Sequence, residues 1–425
     1  MSPNEPGGRP PWRRFFASLG PGLITGAADD DPSGISTYSV AGATLGYATL
    51  WTALVSFPLM AAVQLMCARL GLVSGLGLAG VIRRRYPRWV LWFACALLGI
   101  ANVLNIAADL EGMGEATALV TQVPSALWIP LYAGIIVAAL IWTSYRIIER
   151  TFKWLTLVLA AYVIIAFLTA TDWPAAFRAT LFPHIAWSRS YFAVLVAILG
   201  TTISPYLFFW QAAQEVEEER AMGRSNRRQR QGASDAELRD SRTDVITGMF
   251  ASNAIMYFII LATASTLHAS GHTNIATARD AAEALRPLAG NAAYWLFALG
   301  IVGTGTLAVP VLAGSCAYAV AEAAAWRQRS LAERPRKARK FYSVIAVAVA
   351  LGWGLSYAGF NAVRLLFITA IVNGLLAPPL VLIVVLLTSD RRVMGGAINS
   401  KLLGGLGWAT FAIMTAASIG LLLGS

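Results

Sequence analysis

Charged residues are scarce in this sequence of 425 residues. Asp, Glu, Lys and Arg together make up only 13% of it, against about 25% in ordinary soluble domains. Hydrophobic residues make up 57%, and the mean hydropathy is +0.61. Such a composition excludes an ordinary soluble protein and predicts an all-α polytopic membrane protein, whose main surroundings are the lipid bilayer.

Cysteine and histidine are also rare. Cys67, Cys95 and Cys316 lie in apolar segments at unrelated spacings, which argues against a disulfide framework and against a metal cluster. The sequence also lacks a nucleophile next to a base and a phosphate-binding glycine loop, and its loops are too short to fold alone. We therefore expect no enzyme activity and no cofactor.

Apolar runs long enough to cross a bilayer, near 20 residues each, predict about 11 transmembrane helices. They cover residues 15–45, 50–73, 89–120, 126–144, 152–171, 190–213, 245–267, 291–323, 341–358, 363–388 and 403–423. The polar, proline-rich segment 1–14 precedes the first run, which lacks a small-residue cleavage site. We therefore expect no removable signal peptide.

Basic residues alternate between loops. With the N-terminal tail 1–14 inside, the inside loops hold 27 of the 33 Lys and Arg residues, whereas the outside loops hold only Arg178, Arg189, Arg279 and Arg286. This asymmetry is typical of membrane insertion and argues against nucleic-acid binding, despite the net charge of +11. It predicts a cell (inner or plasma) membrane protein with a cytoplasmic N-terminus and a C-terminus outside.

The first apolar run is interrupted by acids. Asp29, Asp30 and Asp31 precede Pro32-Ser33-Gly34 where a spanning helix would cross the middle of the bilayer. Proline and glycine favour an opened helix there, and carboxylates at that depth usually mark an ion or substrate pathway. We interpret Asp31 as the centre of a cation site; the alternative is a simple kink with the aspartates at the membrane surface.

The sixth run is interrupted in the same way, by Gly200-Thr201-Thr202-Ile203-Ser204-Pro205-Tyr206. Five spans separate the two breaks, so the second copy is inserted upside down relative to the first, as in many secondary transporters. This predicts a first repeat over 15–171 and an inverted second repeat over 172–388. The second repeat contains a flexible cytoplasmic linker over 214–244, and a last helix and C-terminus cover 389–425.

These segments resemble the Nramp family of divalent metal transporters over most of the chain. The family has a LeuT-type fold; its first broken helix carries Asp-Pro-Gly-Asn and its sixth Met-Pro-His, where this chain has Asp31-Pro32-Ser33-Gly34 and Ser204-Pro205-Tyr206. The resemblance implies that Asp31 binds the ion and that Thr201 offers a backbone carbonyl. Asp109, followed by Leu110, matches a family aspartate.

The departures from the family pattern point to harder cations. Gly34 replaces the family's Asn and Ser204 its Met, so a soft ligand that favours transition metals is lost and the site widens. A roomy all-oxygen site suits Mg²⁺, which keeps several waters. This resembles the Nramp-related magnesium transporters, which implies Mg²⁺ and Mn²⁺ transport without proton coupling and an added acid on the third helix: Glu115 first, Glu111 second.

The predicted metal site therefore comprises Asp31, Gly34, Thr201, Ser204, Glu115, Glu111 and Asp109. Two other transport functions stay open: a proton-coupled Mn²⁺/Fe²⁺ importer, disfavoured because Tyr206 replaces the family's proton-route histidine, and an organic-solute transporter for amino acids or polyamines. A channel or a sensor is not excluded by the sequence. Nothing in it requires more than a monomer.

Overall fold

The computed structural model describes residues 20–142, 158–169, 171–326, 330–357, 359 and 361–423. No β-strand occurs among them. The helices are α1 Pro21–Asp29, α2 Pro32–Leu45, α3 Trp51–Ser74, α4 Leu78–Arg85, α5 Arg88–Thr121, α6 Ser125–Trp142, α7 Ala160–Leu168, α8 Trp173–Leu181, α9 Arg189–Thr202, α10 Pro205–Ala221, α11 Arg227–Arg230, α12 Asp235–Thr263, α13 Ala278–Glu283, α14 Arg286–Ala289, α15 Ala293–Ala323, α16 Arg339–Ser356, α17 Ala362–Ser389, α18 Arg391–Met394 and α19 Lys401–Leu423.

Eight helical segments among these residues are long and apolar enough to cross a membrane. The other three predicted spans take different forms. The first is divided into the short helices α1 and α2, part of the fifth lies outside the described residues, and the ninth coincides with the 18-residue helix α16. The predicted count of eleven is therefore not confirmed, and the predicted tail 1–14 also lies outside the described residues.

Both predicted helix breaks are present, and proline defines each one. Pro32 begins α2 and Pro205 begins α10, each at the first turn of its helix. Proline is well suited to that position because the missing N–H would have no partner there. The same ring disfavours continuation of the preceding helix, and at these two positions the helix ends. Two residues therefore leave helical geometry at each break: Asp30 and Asp31 at the first, Ile203 and Ser204 at the second.

The two broken helices lie in the interior of the bundle. α1 packs against α12, and α9 packs against α17. The first contact is close because α1 presents glycine: a methyl group on Gly22 would come within 2.6 Å of the backbone nitrogen of Val245. Small residues allow such an approach of two membrane helices. The tight contact fixes where the end of α1, and hence the first break, lies in the bundle.

The connector between the sixth and seventh spans is shorter and more helical than the sequence predicts. α10 continues to Ala221 and α12 begins at Asp235, so only residues 222–234 of the predicted linker 214–244 connect them. Within this corner, Arg224 forms ion pairs with Glu219 and Glu237. The acidic and basic residues that suggested a solvated linker instead pair with each other and extend the flanking helices.

Several basic loops meet at one end of the bundle, which we term the basic end: residues 75–87, 222–234, 330–338 and 390–400. Arg85 forms an ion pair with Asp390, and Arg230 donates a hydrogen bond to the carbonyl of Gly75. The backbone N–H of Arg392, together with the Arg85 guanidinium, holds the pKa of Asp390 below its ordinary value. These contacts link loops that are distant in the sequence.

Asp244 on α12 holds the start of α1. Its Oδ1 accepts hydrogen bonds from the N–H groups of Gly20 and Leu23, at 2.8 and 3.0 Å, and its Oδ2 accepts one from Gly22 at 2.6 Å. The first N–H groups of a helix have no partner within the helix, and a carboxylate there also interacts favourably with the helix dipole. Asp244 therefore fixes the first half-helix to the seventh span.

Replacing Asp244 with asparagine should destabilise the fold. An amide offers one acceptor oxygen instead of two and carries no charge, so Asp244→Asn should lower the free energy of unfolding by about 2 kcal/mol, the range for hydrogen bonds to charged groups. Thermal unfolding of the purified protein in detergent measures this. Asp240→Asn, at an exposed position one turn earlier on the same helix, is the matched control; equal effects of the two substitutions would contradict the assigned role.

Candidate metal-ion site

Four carboxylates are buried around the first break. Asp29, Asp30, Asp31 and Asp109 have exposed fractions of 1%, 5%, 3% and 0%. The ion pairs found among the described residues all lie elsewhere. Burying a charge is costly unless a partner compensates for it. Within the described part of the chain, this group therefore has hydrogen-bond donors but no cationic side chain.

Asp31 is positioned by the helix that it caps. Its Oδ1 accepts hydrogen bonds from the hydroxyl of Ser33 and from the N–H of Gly34, each at 2.7 Å. An aspartate at this position is a preferred N-cap because its oxygen satisfies a free N–H of the first turn. The carboxylate is thereby held at the start of α2, where the helix dipole favours negative charge.

Ser204 lies at the sixth break, where it donates to carbonyls at a helix end, whereas Asp31 accepts from an N–H group at a helix start. Its hydroxyl lies 2.8 Å from the carbonyl of Gly200 and 2.6 Å from that of Thr201, at the end of α9. Last-turn carbonyls lack partners within their helix, and the serine supplies one. In this conformation the Thr201 carbonyl, predicted as a metal ligand, is therefore already engaged by Ser204.

Tyr206 connects the two breaks. Its hydroxyl donates a hydrogen bond to the carbonyl of Ala28 at 2.8 Å, and its side chain lies against the Asp31 carboxylate. The tyrosine is fully buried. It thus occupies, with a hydroxyl rather than an imidazole, the place where the two interrupted helices meet.

Asp109 reaches the same region from the third span. Its charge interacts with that of Asp31, and its carboxylate lies near the backbone N–H of Ser33, although no described side chain donates a hydrogen bond to it. The helix approaches the break closely because it carries glycine: a methyl group on Gly112 would lie 3.6 Å from Cβ of Pro32. The structure thus brings Asp109 to the predicted centre of the site.

Glu111 and Glu115 lie apart from Asp31. Their charges interact with each other, four residues apart on α5. The carboxylate of Glu115 lies beside the backbone of Ala362, at the start of α17. Six residues of helix separate Glu115 from Asp109, which is about 9 Å along the axis. In this conformation the two glutamates form a separate acidic pair nearer the far end of α5, and their contact with an ion stays a prediction.

Gly34 leaves room for two groups of the site. A methyl group there would lie 3.3 Å from the carbonyl oxygen of Asp29 and 3.5 Å from the hydroxyl of Tyr38. A larger side chain would have to displace one of them. The positions of the Asp29 carbonyl and the Tyr38 hydroxyl therefore favour glycine at position 34.

Two residues of the site were missed by the sequence analysis. Ser252 on α12 donates from its hydroxyl to Asp29 at 2.6 Å and lies 3.1 Å from Asp30. Tyr38 is fully buried, and its hydroxyl lies near the side chain of Thr201. A polar residue in the middle of an apolar run was the available signal, but several such residues only pack helices. Asn373, for example, exchanges hydrogen bonds with Asn105 at 2.9 and 3.2 Å.

The site contains no histidine. His268, at the end of the helical segment of the seventh span, binds the carbonyl of Ala43, and His272 lies beside Ser270 in the loop that follows. His184 lies in the loop before α9. In the part of the chain that the structure describes, no three His, Cys, Asp or Glu side chains converge as a closed metal cluster. The arrangement is instead a pair of helix ends with carboxylates, hydroxyls and carbonyls around them.

Comparison with known proteins identifies the family. The sequence profile described as "Natural resistance-associated macrophage protein-like", or Nramp, matches residues 22–424. The chain belongs to the Nramp family. Members of this family are multi-pass transporters of divalent metal ions, so this Nramp chain is a transporter and not an enzyme.

Individual relatives agree with this assignment. A "Divalent metal cation transporter MntH" of Ralstonia nicotianae is 27% identical over 423 residues, covering 96% of this chain and 91% of the relative. The Eremococcus coleocola manganese transporter superposes with a TM-score of 0.75 at 18% identity, covering 98% of this chain and 88% of that structure.

A more distant structural match supports the fold. A nucleobase-cation-symport-1 family transporter in a closed conformation superposes with a TM-score of 0.56 at 13% identity, covering 95% of this chain and 92% of that structure. At such identities the likeness shows the fold alone. The predicted LeuT-type architecture is confirmed.

Proposed function

We propose that this Nramp chain carries Mg²⁺ and Mn²⁺ by alternating access, without proton coupling, through a site of oxygen ligands that leaves part of the ion's water shell in place. Asp31 and Asp109 supply the charge, Thr201, Ser204 and the space beside Gly34 shape the site, and Glu115 and Glu111 receive the hydrated ion. The protein works as a monomer in the cell membrane, with its N-terminus in the cytoplasm and its C-terminus outside.

The observation that carries this proposal is the group of four buried aspartates without a cationic side chain beside them among the described residues. Such a group is costly in a membrane interior, and a divalent cation would offset much of that cost. An organic ammonium would carry only one charge. The charge balance therefore favours a divalent ion over an amino acid, whereas a polyamine, which carries several positive charges, is disfavoured by the family membership.

The preference for a hard ion rests on the ligand chemistry. Carboxylates, hydroxyls and carbonyls surround the two breaks, and these are the ligands that Mg²⁺ and Mn²⁺ prefer. Mg²⁺ is usually bound through one or two carboxylates while it keeps several waters, which agrees with Asp31 and Asp109 as neighbouring carboxylates that come from different spans.

The absence of proton coupling rests on Tyr206 and on the positions of the histidines. A tyrosine hydroxyl has an ordinary pKa of about 10 and does not exchange protons readily near neutral pH. The Tyr206 hydroxyl is also occupied by the carbonyl of Ala28. The three histidines lie away from the two breaks: His184 and His272 are in loops, and His268 ends the helical segment of the seventh span.

One observation, the position of a soft sulfur ligand, favours the alternative function, the proton-coupled Mn²⁺ importer. Met113 follows Asp109 by one helical turn, and its sulfur packs in the same gap between α5 and α15 where Gly305 faces Pro32. A thioether there would favour transition metals over Mg²⁺ if it moved toward Asp31 in another conformation.

Uptake into sealed proteoliposomes decides between these functions. Internal dyes follow Mg²⁺ and Mn²⁺ in parallel with internal pH. Entry of both ions at a constant pH is the expected result. Entry of Mn²⁺ with protons, while Mg²⁺ neither enters nor competes, would establish the proton-coupled importer instead; the absence of any metal flux would reopen the organic-solute alternative.

A further inference from the structure

A cavity of about 700 Å³ opens at the basic end of the bundle, where α3, α12 and α19 meet. Its inner wall is apolar and its rim carries three arginines. The wall includes Phe57, Ala61, Leu65, Ile246, Leu403 and Leu406. The rim arginines are Arg69, Arg239 and Arg242. The cavity is therefore amphipathic: its depth is suited to hydrocarbon and its mouth to an anion.

The positive charge at the rim is largely uncompensated. Arg239 and Arg242 lie three residues apart on α12 and share a face; both are exposed, and within the described residues neither forms an ion pair. Arg69 reaches the rim from α3 and donates hydrogen bonds to the carbonyls of Ala397 and Ile398, at 2.7 and 3.2 Å. Asp235 is the one acid among the lining residues.

The apolar wall continues onto the outer surface of the bundle. Leu402, at the start of the last spanning helix, lines the cavity and is 75% exposed. Phe57 of the wall packs edge-on against Phe250 with ring centroids 5.7 Å apart, and Phe250 is 60% exposed. A hydrocarbon chain could thus run from the cavity along the side of the protein.

A second cavity provides a contrast. It has about 640 Å³ and lies between α3, α9 and α19, with Trp51, Trp187 and Phe192 among its lining residues. No charged side chain lines it. With α9 in the place of α12, α3 and α19 therefore form a largely apolar cavity toward the opposite end of α3, and the arginines are particular to the basic end.

We propose that the arginine-rimmed cavity binds one anionic phospholipid of the bilayer leaflet at the basic end. The headgroup phosphate is held by Arg239 and Arg242, with Arg69 behind them, and an acyl chain lies along Phe57, Leu65 and Leu402. Guanidinium groups bind phosphate through paired hydrogen bonds, and basic pockets between membrane helices are known to bind anionic headgroups. The proposal does not depend on which metal is carried.

Lipid binding to the purified full chain tests this directly. Native mass spectrometry measures the affinities for phosphatidylglycerol and phosphatidylcholine with identical acyl chains. We expect the wild type to prefer phosphatidylglycerol at least tenfold. Arg239→Gln with Arg242→Gln should lower that affinity by roughly thirtyfold, and Arg239→Lys with Arg242→Lys should keep most of it.

The matched control is Arg336→Gln with Arg339→Gln, which removes two exposed arginines from the basic end away from this cavity. It should bind phosphatidylglycerol like the wild type. Equal binding of the two lipids, or an equal loss in the control, would overturn the proposal. So would displacement of bound phosphatidylglycerol by millimolar inorganic phosphate, because the cavity would then be a simple anion site.

Discussion

Asp31→Asn should reduce both Mg²⁺ and Mn²⁺ uptake to background while the protein stays folded. The asparagine oxygen can still accept from Ser33 and from the N–H of Gly34, and asparagine caps helices about as well as aspartate. Only the charge is lost. Removing one partner of a buried charge pair costs about 3–5 kcal/mol, and each 1.4 kcal/mol is about tenfold in affinity, so ion binding should weaken by more than about a hundredfold.

Initial uptake rates in proteoliposomes and a melting curve in detergent check this prediction. Asp280→Asn serves as the control, because Asp280 also accepts helix N-terminal N–H groups but lies in an exposed capping box away from the site. A melting temperature close to that of the wild type, with uptake lost only in Asp31→Asn, is expected. Uptake within twofold of the wild type in Asp31→Asn would place the ion site elsewhere.

Ser204→Cys should change which ions are carried. A sulfur at the sixth break is a soft ligand, which favours transition metals over Mg²⁺, and cysteine is close to serine in volume. The ratio of Mn²⁺ to Mg²⁺ uptake should therefore rise at least tenfold, and Cd²⁺ should become a strong competitor. Ser204→Met should act in the same direction, at the cost of a larger side chain in a buried position.

Competition assays with the three ions measure this change. Ser204→Ala is the control, because it removes the hydrogen bonds to the carbonyls of Gly200 and Thr201 without adding sulfur. It should leave the Mn²⁺ to Mg²⁺ ratio nearly unchanged. An identical selectivity in the cysteine and alanine variants would show that position 204 does not face the ion.

The elements that agreed with prediction share one property: their signal is local. Runs of about 20 apolar residues mark spans because the bilayer has a fixed thickness. Pro32 and Pro205 mark the breaks because a ring without an N–H disfavours continuation of the preceding helix and polar residues precede each of them, whereas Pro58, Pro130 and Pro310 lie inside helices. The connector after Ala221 differed because Arg224 pairs with Glu219 and Glu237 at the two flanking helix ends, and a loop-like composition does not reveal such pairing.

The partners of the site were beyond prediction for the same reason. Ser252 lies more than 220 residues from the aspartates that it contacts, and Asp244 is as distant from the start of α1. Glu111 and Glu115 were predicted as site residues from the sequence alone, and the structure adds that they lie beside each other, with Glu115 near the backbone of Ala362. The rotation and depth of α5 in the bundle decide which residues these two glutamates contact.

Membrane class, the two breaks and the central position of Asp31 follow from the order of residues, because helix length, proline geometry and the cost of a charge in lipid act on each segment separately. The residues around Asp31, namely Asp109, Tyr206 and Ser252 at the two helix ends, are brought there by helix packing. Gly22 and Gly112 allow the close helix contacts that this packing requires, and such contacts exist only once the whole bundle has assembled.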